Sequence, residues 1–249
     1  MKFVEGYIKR KSLVNKTAVG HVNYALNHVQ GCAHGCRYPC FAYLMAIRFG
    51  KVTSYEQWCK PYIVENALQL LDSELPKLKD KVERVHLCFA TDPFMYDYEE
   101  VAALSIQIIR KLNHNGIACN VLTKGLLPFE LSGLSGKNEY GISLVSLQES
   151  YRRKHEPGAA PYQERIQALY RLHLQGCTTY VNIEPYPAPD IVQQDIMQLL
   201  AAISFVDWIG FGKNNYNGSD SQHTAFYRDT RAAIAEFCQQ NNIGCQIHG

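Results

Sequence analysis

The sequence lacks the long apolar runs of a membrane protein. None of its 249 residues lies in a segment of the roughly 20 apolar residues that a transmembrane helix needs, and the first 30 residues carry Lys2, Lys9 and Arg10 where a signal peptide would begin its apolar centre. Internal repeats, low-complexity tracts and linkers are missing too. We therefore expect a cytoplasmic protein without a membrane partner, built as one core domain over residues 19–249 behind an N-terminal arm at 1–18.

A strong excess of one charge is also missing. The net charge is +2, with 19% charged and 47% hydrophobic residues, which is typical of a globular protein and excludes a disordered or fibrous chain. Such a balance gives no independent argument for nucleic-acid binding. A local basic patch would still be compatible with it.

Cysteine is plentiful, but it does not form the short, dense frame of a disulfide-linked secreted domain. Of the nine cysteines, three lie in the stretch GCAHGCRYPCFAY, where Cys32, Cys36 and Cys40 form a C-x3-C-x3-C array. The other six lie mostly singly beside apolar residues, where a buried cysteine behaves as a small hydrophobic residue. The sequence therefore predicts one metal centre and argues against a second iron–sulfur centre.

Three thiolates within nine residues are one ligand short of the four that a structural zinc ion or a fully ligated iron–sulfur cluster takes. An open coordination position favours catalysis at the metal. The alternative is a zinc-binding module with a nucleic-acid-binding or regulatory role, in which His34, His28 or His21 supplies the fourth ligand.

Hydrophobic patterning alternates between strands and helices along the chain. It predicts strands at 19–29, 82–90, 117–122, 139–147, 178–183 and 205–211, a short strand at 243–247, and helices at 41–49, 61–78, 99–112, 127–133, 161–175, 191–203 and 223–241. Strands that alternate with helices form βαβ units around a parallel sheet. The expected fold is α/β: a partial (β/α)6 TIM-like barrel of parallel strands with outer helices.

Polar side chains follow five of the predicted strands. They are the cysteine loop itself, Thr91-Asp92, Thr123-Lys124, Glu184 and Lys213-Asn214-Asn215. In parallel sheets the working residues lie at the carboxyl ends of the strands. The pattern therefore predicts one site beside the cysteine loop.

These motifs resemble the radical S-adenosylmethionine (SAM) superfamily, and within it the spore photoproduct lyase-like branch. The segment GCAHGCRYPCFA is similar to the signature G-C-x-H-x-C-x-Y-C-Y-A that follows the first strand in that family. Other similar segments, in order, are Ala90-Thr91-Asp92-Pro93, Leu122-Thr123-Lys124, Ser143, Glu156-Pro157 with Pro161 and Arg165, and GCTTYVNIEPYPAP. The resemblance runs from about residue 20 to about residue 190.

The resemblance implies an enzyme with a [4Fe–4S] cluster held by Cys32, Cys36 and Cys40, and with SAM chelated to the open iron. It implies a lyase or another radical-based modifying enzyme. An electron from a donor such as flavodoxin or ferredoxin would cleave SAM to methionine and a 5′-deoxyadenosyl radical, which acts on the substrate.

Residue roles carry over from the same resemblance. Thr91 and Asp92 would receive the methionine ammonium of SAM, and Lys124 and Ser143 its carboxylate. Tyr38, next to the cluster, would lie against the adenine.

Two positions depart from the family pattern. Pro39 is an extra residue before the third cysteine and removes a backbone N–H from the loop, although we still expect a cluster there. Phe89 stands where the lesion-repairing relatives carry a hydrogen-donor cysteine, and the neighbouring Cys88 should point to the opposite face of the strand. We therefore do not expect repair of a thymine lesion by the same route.

Some of these residues also have structural interpretations. Asp92 is placed to cap the helix that begins near Glu99, and Lys124 fits a solvated turn. Glu156 and Arg165 favour a structural ion pair over catalysis. The basic run at 152–155 is typical of a solvated loop, with a phosphate contact as the alternative.

The last two strand ends supply the remaining candidates. Glu184 should point into the mouth of the barrel, where we expect a catalytic or substrate contact, with a contact to the SAM ribose or a salt bridge as alternatives. Lys213 and Asn215, with Asn214 and Tyr216, are candidates for binding the nucleoside of the cofactor or the substrate. The substrate stays open between a nucleic acid or nucleotide, a small molecule and a peptide.

Overall fold

The computed structural model describes residues 1–17, 22–38, 40–213 and 223–247. The strands are β1 Gly6–Ile8, β2 Val14–Lys16, β3 Tyr24–Leu26, β4 Val29–Gln30, β5 Tyr62–Val64, β6 Arg84–Leu87, β7 Ala118–Thr123, β8 Glu139–Ser143, β9 Thr178–Tyr186, β10 Trp208–Lys213 and β11 Gly244–Ile247. The helices are α1 Phe41–Arg48, α2 Tyr55–Trp58, α3 Ala67–Leu78, α4 Glu99–His114, α5 Glu149–His155, α6 Tyr162–His173, α7 Ile196–Ala202 and α8 Thr224–Asn241, with a 3-10 helix at Phe129–Gly133.

The large sheet is parallel except at one edge. Its strand order is β2-β3-β6-β7-β8-β9-β10-β11, and the β2–β3 pair alone is antiparallel. The central strands are buried along most of their length because both faces of the sheet are covered. Strand order therefore follows chain order from β6 to β11, as successive βα units predict.

Helices cover the outer face of this sheet. Helix α4 packs on β7, α6 packs on β8 and β9, and α8 packs on β10 and β11. Within the described ranges the edge strands β2 and β11 do not pair with each other, so the barrel stays open. The predicted α/β fold, a partial TIM-like barrel with outer helices, is confirmed. No helix in the described ranges is long and apolar enough to cross a membrane.

A smaller sheet, β1-β5-β4, fixes the start of the cysteine loop. Gly31 follows β4 with φ +83°, and a Cβ there would lie 2.5 Å from the carbonyl oxygen of Lys60, so only glycine fits. The next residue, Cys32, donates its backbone N–H to the carbonyl oxygen of Trp58 at 2.8 Å. The loop therefore begins at a position set by main-chain contacts.

The amino-terminal region differs from its prediction. The strand expected at 19–29 is two short strands, β3 in the large sheet and β4 in the smaller one, and residues 19–21 lie outside the described ranges. Part of the N-terminal arm expected at 1–18 is paired in the sheets: β1 pairs with β5, and β2 pairs with β3. The boundary between this segment and a core at 19–249 stays a prediction.

Two further segments differ because long-range pairing overrides local pattern. Residues 62–64 pair as β5, so the helix expected over 61–78 begins only at Ala67, and Pro76 lies inside it without ending it. The basic run at 152–155 lies in helix α5, not in a loop.

Candidate active site

A cavity of about 540 Å³ lies inside the partial barrel, and the predicted site residues converge on it. Its wall includes Cys32, Cys36, Tyr38, Cys40, Thr91, Asp92, Lys124, Ser143, Glu184 and Lys213. These side chains come from the cysteine loop and from the carboxyl-terminal parts of five parallel strands, β6 to β10, or the residues that follow them. The structure thus brings these candidates to one cavity, whereas Asn215, with Pro39, Asn214 and Tyr216, lies outside the described residues.

The thiols of Cys32 and Cys36 are buried, and the Lys124 ammonium lies near enough to favour the charged form of Cys36. Burial raises the pKa of the Cys36 thiol to about 12, against the opposing effect of the Lys124 ammonium. Burial also raises the pKa of Cys32 well above its ordinary value. A buried thiol with a raised pKa stays protonated at neutral pH unless a metal ion binds the sulfur and displaces the proton. Three soft thiolates on one cavity therefore fit an iron–sulfur cluster.

Two of the three histidines considered as a fourth zinc ligand contact other residues. Among the residues that the structure describes, no group of three or more His, Cys, Asp or Glu surrounds one ion position. A zinc ion draws all its ligands to about 2.0–2.3 Å from one point, whereas each cysteine of a [4Fe–4S] cluster binds a different iron. His28 lies between Cys88 and Ser105, and His34 contacts Asp92, so two of the histidines considered for zinc have other partners. His21 lies outside the described residues.

Asp92 ties the cysteine loop to two strands. Its carboxylate accepts hydrogen bonds from His34 Nε2, the Thr123 hydroxyl, and the backbone N–H groups of Phe94 and Lys124, all at 2.7–2.8 Å. These four bonds use the four lone-pair positions of a carboxylate. Burial would raise the pKa of Asp92, but His34 and the other donors outweigh it and hold the pKa below its ordinary value. Asp92 is thus a charged, fully hydrogen-bonded residue.

The alternative role of Asp92 as a helix cap is wrong. Helix α4 begins at Glu99 with Tyr98 as its N-cap residue. The neighbouring Thr91 donates its hydroxyl hydrogen to the carbonyl oxygen of Gly31, at the first turn of the cysteine loop. The Thr91-Asp92 pair therefore positions the loop from the end of β6.

Lys124 belongs to a buried ion network and not to a solvated turn. Its Nζ lies 3.8 Å from Glu156 Oε1 and 5.6 Å from the centre of the Tyr38 ring. Glu156 also accepts from the Tyr38 hydroxyl at 2.7 Å and from Arg165 Nη2 at 2.8 Å. Glu156 and Arg165 are fully buried, so the predicted structural ion pair is confirmed.

The charges in this network hold each other ionised. Burial would raise the pKa of Glu156, yet Arg165 and Lys124 bring it below its ordinary value. Burial would lower the pKa of Lys124, yet Glu156 and Cys36 bring it above its ordinary value. The cavity wall therefore presents a permanent ammonium beside the cysteines.

The Ser143 hydroxyl completes a pair of donors. Ser143 ends β8, lines the cavity, and makes no side-chain hydrogen bond to the part of the chain that the structure describes. Its backbone carbonyl accepts from Arg165 Nη1 at 2.9 Å, which fixes its position. Lys124 and Ser143 thus fit the carboxylate of an amino acid such as the methionine portion of SAM.

The turn after α5 holds the cysteine loop from the other side. Arg37 donates its backbone N–H to His155 at 2.8 Å, and Gly158 donates to His34 at 2.9 Å. A Cβ at Gly158 would lie 2.0 Å from the carbonyl oxygen of Ala33, so the two backbones touch. Sequence reasoning missed this contact because the segments lie some 120 residues apart.

Cys88 and Phe89 point to opposite sides, as predicted. Cys88 is buried with its Sγ 3.3 Å from His28 Nδ1, whereas Phe89 lines the cavity. The Phe89 ring makes edge contacts with Phe41 and His86, at 5.9 and 5.4 Å between ring centres. Phe89 therefore presents an aromatic ring, and not a thiol, to the cavity.

Sequence reasoning missed the part of the cavity near the amino ends of β9 and β10. Tyr180 stacks on Trp208 at 4.0 Å, and its hydroxyl bonds Asn120 at 3.0 Å. Asn120 in turn donates to Glu139, which pairs with Arg84. The alternation of β9 was the available signal, because it places residues 180 and 182 on the same face as Glu184.

Glu184 of β9 lines the same cavity. Its carboxyl group lies over Gly212 of β10, where a Cβ would come within 2.4 Å of Glu184 Cδ. No described residue forms a salt bridge with Glu184, so that alternative has no support in the described ranges. Lys213 ends β10 at the rim of the same cavity.

Comparison with known proteins agrees with this geometry. The sequence matches the family profile of the Radical SAM superfamily over residues 26–203, well over half of the chain. The chain belongs to the radical SAM superfamily. It is thus a radical SAM enzyme, whose cofactors are a [4Fe–4S] cluster and SAM.

Solved radical SAM structures share the fold. A spore photoproduct lyase variant with bound AdoMet (SAM) and dinucleoside spore photoproduct superimposes with a TM-score of 0.69 at 12% identity, over 98% of this chain and 81% of that chain. A spore photoproduct lyase complexed with dinucleoside spore photoproduct gives 0.67 at 12% identity, over the same shares. SuiB of Streptococcus suis bound to S-adenosylmethionine gives 0.53 at 13% identity, over 72% of this chain and 41% of that chain. No curated protein sequence matches the chain significantly.

Proposed function

We propose that Cys32, Cys36 and Cys40 hold the [4Fe–4S] cluster and that the enzyme uses it to act on an organic substrate by radical chemistry. When bound, the cluster and SAM supply a one-electron cleavage that yields a 5′-deoxyadenosyl radical. The supporting observation is that all three cysteines line one cavity with Lys124 and Ser143 in a chain of this superfamily.

The other cavity residues would bind and orient SAM. Lys124 and Ser143 present two donors to its carboxylate. Thr91 and Asp92 lie on the ammonium side, where Asp92 acts through its charge because its lone pairs are already used. The Tyr38 ring would lie near the adenine.

Lys213 and Asn215 stay our candidates for the nucleoside of the cofactor or for the substrate. Glu184 stays the candidate for a catalytic contact, since it lines the cavity and forms no salt bridge with a described residue. We place all of these residues in one core domain at 19–249.

The substrate would be a nucleic acid or nucleotide, a small molecule, or a peptide. The solved spore photoproduct lyases bind a dinucleoside spore photoproduct, but Phe89 replaces the thiol on which their route of repair depends. The reaction class that the cavity supports is therefore a lyase or another radical-based modification in which no thiol at position 89 donates a hydrogen atom.

An electron donor such as flavodoxin or ferredoxin would dock beside the cysteine loop. Arg37, Arg153 and Lys154 are exposed there, around the contact between Arg37 and His155. Burial, with the nearby Lys154 and Arg37, lowers the pKa of His155. This basic rim complements an acidic carrier protein.

Anaerobic reconstitution with iron and sulfide tests the proposal. The protein should take up about four irons per chain and form 5′-deoxyadenosine from SAM with dithionite. A protein that binds only zinc and leaves SAM intact would contradict it.

A further inference from the structure

Two glycines leave space for larger side chains along one wall of the cavity. Strand β9 points Asn182 and Glu184 into the cavity, and the paired strand β10 has Gly210 and Gly212 opposite them. A Cβ at Gly210 would lie 2.7 Å from Asn182 Oδ1, and one at Gly212 would lie 2.6 Å from Glu184 Oε1. Neither glycine has a positive φ. The glycines therefore provide space and not backbone freedom.

The two side chains in this space have no partner in the described part of the chain. Asn182 and Glu184 are both half-buried, and neither side chain makes a hydrogen bond or ion pair with a described residue. By contrast, the charged Arg84 and Glu139 lower in the cavity pair with each other. A half-buried carboxylate without a donor is costly, so a ligand that brings N–H groups to Glu184 would be stabilised there.

Aromatic rings form the rest of this space. Phe89 makes edge contacts with both Phe41 and His86 on the cavity wall, and Trp208 is stacked on Tyr180 where β9 and β10 pair near their amino ends. Such surfaces favour a planar ring. A flat ligand held there would meet a carboxylate at its edge.

We propose that Asn182 and Glu184, over Gly210 and Gly212, form a substrate subsite for a planar group that carries cationic N–H donors, such as an amidine, a guanidine or a protonated amine on a ring. A carboxylate only accepts hydrogen bonds and binds two parallel N–H groups in a bidentate manner, while the Asn182 amide adds one acceptor and two donors. The inference rests on the proposed function, because it requires SAM to occupy the other side of the cavity beside Lys124.

The other cations on the cavity wall leave this subsite acidic. Lys124 pairs with Glu156, and Arg84 pairs with Glu139. Lys213 is the last residue of β10 and pairs with Tyr186 of β9. In this position it would contact the part of a substrate that lies nearest to solvent.

Benzamidine tests the subsite, because it joins a planar ring to an amidinium. Isothermal titration would use protein loaded anaerobically with cluster and SAM. Glu184→Gln should weaken benzamidine binding more than tenfold, and Gly212→Ala should do the same while keeping the carboxylate. Neutral benzyl alcohol should bind wild type and Glu184→Gln equally. The matched control is Glu130→Gln, an exposed carboxylate on the 3-10 helix, which should bind benzamidine as the wild type does.

The outcomes separate the subsite from the proposed function. Equal benzamidine affinity in wild type and Glu184→Gln would overturn the subsite. A Glu184→Gln variant that loses affinity for SAM but keeps benzamidine would also overturn it, because Glu184 would then serve the SAM ribose. Wild-type protein that takes up no cluster and never cleaves SAM would instead defeat the proposed function.

Discussion

His34, between the first two cysteines, lies 2.8 Å through its Nε2 from the carboxylate of Asp92 at the end of β6. Both side chains are buried. Asp92 also holds Thr123 and the backbone of Lys124 on the next strand. The cysteine loop is therefore connected through one carboxylate to the strand ends that would bind SAM, and this connection can be broken without removing a cysteine.

Asp92→Asn should lower cluster occupancy several-fold. The new amide would turn a donor toward groups that already donate, which leaves a buried donor without an acceptor. Iron and sulfide per chain after reconstitution give the measurement, with the exposed Asp72→Asn as control. Full occupancy in Asp92→Asn would mean that the loop is positioned without this residue.

Lys124→Met should weaken SAM binding about tenfold, roughly 1.4 kcal/mol, without loss of iron. The reason is the lost ammonium beside Ser143, since Glu156 keeps its bond to Arg165. Equilibrium binding of SAM to the cluster-loaded protein measures the change. Exposed Lys137→Met should bind SAM normally. Unchanged affinity in Lys124→Met would remove Lys124 from the site.

Glu156→Gln should lower the free energy of unfolding by about 3–5 kcal/mol, because it leaves the buried Arg165 charge without its partner. Adding Arg165→Met should cost less than the sum of the two single changes. Urea unfolding of the three variants measures this. Strict additivity would show that the pair does not act as a unit.

The cost of Glu156→Gln should also depend on pH. Burial raises the pKa of Glu156, but Arg165 and Lys124 outweigh it and hold the pKa below the ordinary 4.5. A carboxylate with a lowered folded-state pKa stabilises the fold above its ordinary pKa and loses this effect as the pH falls through the lowered value. The difference between wild type and variant should be full at neutral pH and shrink below 4.5. A difference that stays constant on acidification would contradict the ion pair.

Charge reversal on the basic rim should slow reduction by an acidic carrier. Arg153→Glu with Lys154→Glu should lower the rate of 5′-deoxyadenosine formation driven by flavodoxin at low salt at least several-fold. With dithionite the same protein should react as the wild type does, since a small reductant needs no docking surface. Lys79→Glu, which changes an exposed charge just after α3, is the control. An equal loss with both reductants would place the defect in the cluster and not in docking.

The sequence predicted the parts of this site that depend on short spacing and strand ends. Cys32, Cys36 and Cys40 lie within nine residues of each other in the chain. Asp92, Lys124 and Ser143 follow or end strands whose order in the sheet matches their order in the chain. Parallel strands bring such ends together at one edge. Their convergence on one cavity was therefore predictable without coordinates.

The remainder depended on contacts between distant segments. The Gly158 contact with Ala33, and β5 in place of the first helical turn before Ala67, come from partners that no local pattern identifies. The cavity wall formed by Asn182 and Glu184 could be recognised only from the strand pairing that places Gly210 opposite Asn182. Pairing register, not propensity, decided these features.

Cluster assembly in two cysteine variants, Cys36→Ala and Cys245→Ala, tests the central claim most directly. Wild type and Cys245→Ala, which alters an exposed cysteine on β11, should bind about four irons per chain and form 5′-deoxyadenosine from SAM with dithionite. Cys36→Ala should do neither. A wild-type protein that binds one zinc and leaves SAM intact, or a Cys36→Ala variant that keeps both cluster and cleavage, would contradict the account.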